Sequence, residues 1–178
     1  MVRLFLVGPR GCGKTTVGRA LADRLGARFA DTDELVATVA GALAGDLLRT
    51  KGEGALRAAE SAVLARLCEV FEGVVATGGG IVLSEKNRER LRSSGFVVYL
   101  RADAETLAAR IRAQGKGRRP SLTGAAPDEE VPAVLAAREP LYRAVAHLEV
   151  DAARPVGESV ERIASSILSG GGGAPGPG

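Results

Sequence analysis

The nine residues GPRGCGKTT, from Gly8 to Thr16, follow the apolar run VRLFLV and lead into the amphipathic stretch TTVGRALADRLG. Gly8-x4-Gly13-Lys14-Thr15 fits the pattern G-x-x-x-x-G-K-[ST], which works where a buried strand turns sharply into a helix. Glycines let backbone N–H groups converge on phosphate oxygens, and the helix N-terminus adds its positive dipole end. Lys14 would reach the β- and γ-phosphates of a nucleotide, and the Thr15 hydroxyl would ligand Mg²⁺. The nucleotide-binding candidates are therefore Gly11, Cys12, Gly13, Lys14, Thr15 and Thr16. The competing reading, a glycine-rich turn with no nucleotide, is disfavoured by the strand before and the helix after. Cys12 lies near a helix start, where a thiol can be acidified, but a spectator role asks less of it.

The rest of the chain repeats the strand–helix alternation. Short apolar or β-branched runs stand at 2–7, 28–31, 74–77, 96–100 and 147–151, with longer helical patterns between them. That alternation predicts an α/β fold, a parallel sheet with helices on both faces. Continuous apolar runs such as FVVYL suit strands covered on both sides. Such sheets bind ligands beyond the carboxyl ends of their strands, which points to residues 8–16, 31–33, 77–80, 101–103 and 151–155. Residues 1–168 read as one domain, and the low-complexity tail SGGGGAPGPG at 169–178 reads as disordered. The stretch AQGKGRRPSLTGAAPD at 113–128 sits between two helical patterns. It is either a plain connector or, as its length and Arg118-Arg119-Pro120 suggest, a mobile lid carrying charge.

Composition narrows the function classes. A net charge of +3 admits nucleic acid as a partner, but aromatics are only 3%, too few for a base-stacking platform. Most arginines then read as solvated helix-face residues, and a few as groups for an anionic small molecule. Cys12 and Cys68 are far apart and outside any CxxC arrangement, so neither a disulfide framework nor a zinc site is indicated. No apolar run of 18 residues appears, and the N-terminal run is short for a signal peptide. The expectation is a cytoplasmic protein with no membrane contact.

What accepts the phosphoryl group must come from the rim. The second strand ends ADTDE, and residues two apart on a strand point the same way. Asp31 and Asp33 are thus expected to face the phosphate loop together. One can serve Mg²⁺, and the other can take a proton from an acceptor hydroxyl. Alternatively, Asp33 caps the helix that follows. In GEGALRAAE, Arg57 can clamp a carboxylate bidentately, or simply pair with Glu53 and Glu60 at the surface. ATGGGIVL places three glycines after a strand, more than a turn needs, which admits a ligand close to the backbone. AAREPLY offers Arg138 on a helix.

In the order and spacing of GPRGCGKTTVG, DTD, GE…LR, TGGG, RRP and REPLY, the chain resembles the shikimate kinases up to about residue 168. The wording GPRGCGKTTVG, RPSLTG and AREPLYRAVAH is most similar to the type 2 form. The resemblance implies a P-loop, nucleoside-monophosphate-kinase-like three-layer fold with a five-stranded parallel sheet, a substrate-binding helical segment at about 33–60 and a lid at about 113–128. It implies transfer of the ATP γ-phosphate to the 3-hydroxyl of shikimate, with Mg²⁺, by a monomer. By the same likeness Asp33 holds the shikimate hydroxyls and is the base, while Asp31 and Thr15 serve the metal. Arg57 and Arg138 grip the shikimate carboxylate, and Gly79 contacts the substrate. Arg119 meets the phosphates, Lys14 shares that task, and Arg110 and Arg154 flank adenine. Leu56 stands where many relatives carry an aromatic, and Ser121 gives RPSL where many read RPLL. Other readings are a gluconate or nucleotide kinase, a regulator that binds nucleotide without turnover, and, weakest, a nucleic-acid module. Gluconate is also a polyhydroxylated carboxylic acid, so family likeness rather than chemistry separates it from shikimate.

Overall fold

The computed structural model describes residues 3–114 and 126–169. Five strands alternate with helices: β1 (Leu4–Val7), β2 (Phe29–Asp31), β3 (Val74–Ala76), β4 (Phe96–Arg101) and β5 (Leu148–Asp151). They form one sheet in the order β2-β3-β1-β4-β5, with every pairing parallel. All five sequence-predicted runs are strands, trimmed or extended by one or two residues at their ends. Because the strands are parallel, their carboxyl ends open along one edge, and β1, at the centre of the sheet, delivers the phosphate loop there.

The sheet is buried on both faces, which explains strands with no polar alternation. Leu4, Leu6, Val98 and Leu100 face one core with α1 (Lys14–Leu25), α5 (Ala104–Ala113) and α7 (Val156–Ser169). Phe5, Val7, Val97 and Tyr99 face the other, with α2 (Thr32–Ala40), α3 (Ala44–Val70), α4 (Glu85–Ser94) and α6 (Pro127–Val145). The result is the expected three-layer sandwich. No helix among the described residues is long and apolar enough to cross a membrane.

The α3 helix is broken at Gly52, where φ is 82°. A left-handed residue cannot continue a right-handed helix, and only glycine takes that conformation cheaply. The break separates two helical runs, the second carrying Arg57. The segment expected at 33–60 is therefore α2 plus the first part of an α3 that continues to Val70.

Tyr99 and Tyr142 stack in the second core, with ring centroids 5.3 Å apart and planes at 23°. Both rings are fully buried, but the Tyr99 hydroxyl has no hydrogen-bond partner. Burial pushes its pKa up to about 12. A buried, unsatisfied hydroxyl forfeits hydration with nothing in return. Tyr99→Phe is therefore expected to raise the unfolding free energy by about 1 kcal/mol, read from the urea midpoint at unchanged slope. A lower midpoint would mean that the hydroxyl is satisfied.

Candidate active site

The phosphate loop leaves β1 at Val7, and α1 begins at Lys14 with Gly13 at its N-cap position. The Lys14 ammonium donates to the Gly8 and Pro9 carbonyls at 2.8 and 2.7 Å and lies 3.6 Å from the Cys12 sulfur. The loop thus folds back over its own lysine. Cys12 is buried beneath the loop; its Sγ lies 2.9 Å from where a Gly8 side chain would start, so it fills space under the turn.

At the next residue of α1, the Thr15 hydroxyl donates to Asp31 Oδ2 at 2.7 Å. The other Asp31 oxygen accepts from the Asp33 backbone N–H at 2.9 Å. Asp31 is therefore the N-cap of α2. This corrects two sequence expectations. Asp33 does not cap the helix, and it does not project from a strand end beside Asp31, because the strand stops at Asp31 and the helix begins at Thr32. The period-two argument fails one residue too early, since a capping aspartate turns the chain at once. Asp33 still reaches the rim from the first helical turn. Its Oδ1 lies 2.8 Å from the position a Gly78 side chain would occupy.

The TGGG loop is fastened at three points. The Thr77 hydroxyl donates to the Leu6 carbonyl at 2.9 Å, and the Gly78 N–H donates to the buried Thr32 hydroxyl at 2.8 Å. The Gly79 carbonyl accepts from the Tyr142 hydroxyl at 2.6 Å. At Gly80 any side chain would run into the Arg57 guanidinium, with Cζ only 2.6 Å from a Cβ there. A side chain there would push the guanidinium out of this position, so glycine favours the close approach.

Arg57 is held from both sides of its helix turn. It donates to Glu53 at 2.9 and 3.2 Å and to Glu60 at 2.9 Å. Burial opposes its charge, but Glu60 and Glu53 outweigh that, and its pKa stands above the ordinary arginine value. The surface-pair alternative is thus half right: the ion pairs exist, but the Glu60 side chain is only 6% exposed and the Arg57 side chain 22%. Both line a cavity of about 100 Å³ with Arg10, Gly79, Gly80 and Arg138. Leu48, Leu56 and Val134 supply apolar wall. Leu56 is buried and closes part of that wall.

The structure thus brings Arg57, Gly79 and Arg138 to one cleft against the phosphate loop, with Asp33 beside the adjoining Gly78. Arg110 and Arg154 lie apart, around the turn after β5. Arg110 donates to the Ala152 carbonyl at 2.8 Å, and Arg154 pairs with Glu158 at 3.2 Å on the surface. Arg119, Ser121 and most of the expected lid lie outside the described residues, as does the tail from 170 onward. Among the described residues, no group of three or more His, Cys, Asp or Glu side chains could hold a metal ion. Thr15 and Asp31 offer one hydroxyl and one carboxylate. That set suits Mg²⁺, which takes hard oxygen ligands and completes its shell with water and substrate phosphate.

Sequence reasoning passed over Glu60 as an active-site group, and Thr32, Tyr142 and Arg10 altogether. Two of these carried a signal: Glu60 and Tyr142 stand three and four residues beyond Arg57 and Arg138, on the same helix faces.

The shikimate kinase family model matches residues 10–170. The chain belongs to the shikimate kinase family. Shikimate kinase 2 of Sodalis glossinidius is 47% identical over 165 residues, 92% of this chain and 94% of that protein. A shikimate kinase of Oleidesulfovibrio alaskensis is 48% identical over 156 residues, 87% and 91% of the two chains. Among solved structures, the shikimate kinase of Acinetobacter baumannii in complex with shikimate superposes with a TM-score of 0.90 at 36% identity, covering 96% of this chain and 95% of that one. The chain is accordingly a small-molecule kinase that uses ATP as its phosphoryl donor.

Proposed function

We propose that this chain transfers the γ-phosphate of ATP to the 3-hydroxyl of shikimate, giving shikimate 3-phosphate and ADP on the route to chorismate and the aromatic amino acids. The observation that carries the reading is the single cleft in which Arg57, Glu60, Arg138 and the TGGG loop meet the phosphate loop. Two arginines on different helices suit a carboxylate held bidentately. Asp33 and Glu60 supply carboxylates for the acceptor's hydroxyls.

Lys14 meets the β- and γ-phosphates, while the backbone of Gly11, Cys12, Gly13 and Thr16 cradles the chain of phosphates. Asp33 orients the acceptor hydroxyl and takes its proton as the oxygen attacks the γ-phosphorus. Mg²⁺, served by Thr15 and Asp31, would neutralise phosphate charge. Family likeness adds Arg119 as a further cation on the phosphates and Arg110 and Arg154 as neighbours of adenine. Phosphoryl transfer asks the protein mainly for positioning and charge, and these residues supply both. The working unit is a monomer in the cytoplasm, with neither nucleic acid nor membrane as a partner.

A coupled ADP-release assay tests the reading with shikimate, gluconate and AMP as competing acceptors. Shikimate-dependent ADP release is expected, with gluconate and AMP near the background of the acceptor-free reaction. ADP release unresponsive to shikimate would leave only the P-loop fold.

A further inference from the structure

The Tyr142 hydroxyl ties α6, the helix of Arg138, to the loop after β3. Tyr142 lies four residues beyond Arg138, so the two side chains share a face of α6. The hydroxyl donates to the Gly79 carbonyl at 2.6 Å, and the Arg138 guanidinium, on the same face of the helix, is near enough to favour the ionised phenol. Its ring is fully buried and stacked on Tyr99, which leaves the hydroxyl little freedom to wander. Burial raises the phenol pKa, and Arg138 only partly opposes this. Tyr142 therefore stays neutral and keeps its proton to donate.

We propose that Tyr142 is a positioning residue for the acceptor. Its hydroxyl, bonded to the Gly79 carbonyl and set one turn from Arg138 on α6, holds the acceptor loop in a fixed relation to the carboxylate-gripping arginine. The geometry of a trans peptide extends the effect. There are no cis bonds in the described chain, so the Gly80 N–H points opposite to the Gly79 carbonyl. Fixing that carbonyl on Tyr142 turns the Gly80 N–H away from the Tyr142 hydroxyl. One hydroxyl thus sets the direction of two groups that an anionic acceptor would meet. Tyr142 itself does not line the cleft, so it acts through Arg138 and the loop.

The inference rests on the reading that Arg138 and the TGGG loop face shikimate. Tyr142→Phe keeps the ring and its stacking and removes only the hydroxyl. The KM for shikimate is expected to rise roughly tenfold, the scale of one lost hydrogen bond. The KM for ATP should stay close to wild type, and loss of the bond to the Gly79 carbonyl should lower the melting temperature by only about a few degrees. A purely structural role would leave the two KM values in proportion.

A double-mutant cycle with Arg138→Ala adds a second readout. If Tyr142 acts through Arg138, the double variant binds shikimate about as weakly as Arg138→Ala alone. A shikimate KM within twofold of wild type in Tyr142→Phe would overturn the proposal, as would strict additivity in the cycle. Absence of shikimate-dependent ADP release in the wild type is a different outcome, and it would remove the substrate reading beneath.

Discussion

Asp33→Asn is expected to lower the kcat for shikimate phosphorylation by about 10³-fold, with ATP affinity within about twofold of wild type. Asparagine matches aspartate in size and keeps a carbonyl oxygen toward Gly78, where Oδ1 now lies 2.8 Å from the position of a side-chain carbon. It cannot take a proton from the acceptor hydroxyl. The substitution also spares the local architecture. The bond that caps α2 runs from the Asp33 backbone N–H to Asp31, so it survives any change of the Asp33 side chain. Thr15 and Asp31 keep their own contact, and with it the metal-facing pair. A coupled assay for turnover, beside calorimetric titration with ATP, separates the two effects. Full activity in Asp33→Asn would reduce Asp33 to one of two acidic residues in the first turn of α2. There it would merely favour the helix dipole, a contribution below about 1 kcal/mol.

The case of Asp33 also shows what a sequence can and cannot display. The five strands were legible because each is a short apolar run that two helical layers must cover. The phosphate loop was legible because its chemistry is local, carried by the backbone of a few consecutive residues. Asp33 was placed at the rim for the wrong reason. Strand periodicity was extended through Asp31, although an aspartate at that point ends a strand by capping the next helix. Glu60 looked like a surface partner of Arg57, because the kink at Gly52 in this helix has no periodic signature. The join between Tyr142 and Gly79 spans 63 residues, and no local pattern announces a contact of that range. Roles that depend on neighbours within one helix face were readable from spacing. Those that depend on which elements meet at the sheet edge needed the fold.

Arg57→Ala is expected to raise the KM for shikimate by about 10²-fold, because a charged, bidentate grip on a carboxylate is lost. The ATP KM should change little, since the phosphate loop contributes only Pro9 and Arg10 to the cleft. Stability should fall as well. Arg57 donates to Glu60 at 2.9 Å, and the Glu60 side chain is only 6% exposed. Removing the guanidinium strips a buried carboxylate of that partner, at a cost of about 1–3 kcal/mol. The exposed pair with Glu53, whose side chain is 62% in solvent, should add little to that loss. The two consequences can be pulled apart by adding Glu60→Gln to Arg57→Ala. An amide needs no cation beside it, so the double variant should regain much of the lost melting temperature. Its shikimate KM should stay at least as high as in Arg57→Ala, because the guanidinium that meets the acceptor is still missing and the Glu60 carboxylate is gone as well. If the double variant regained affinity together with stability, the arginine would matter only as a counter-ion for Glu60, and the carboxylate grip would rest on Arg138.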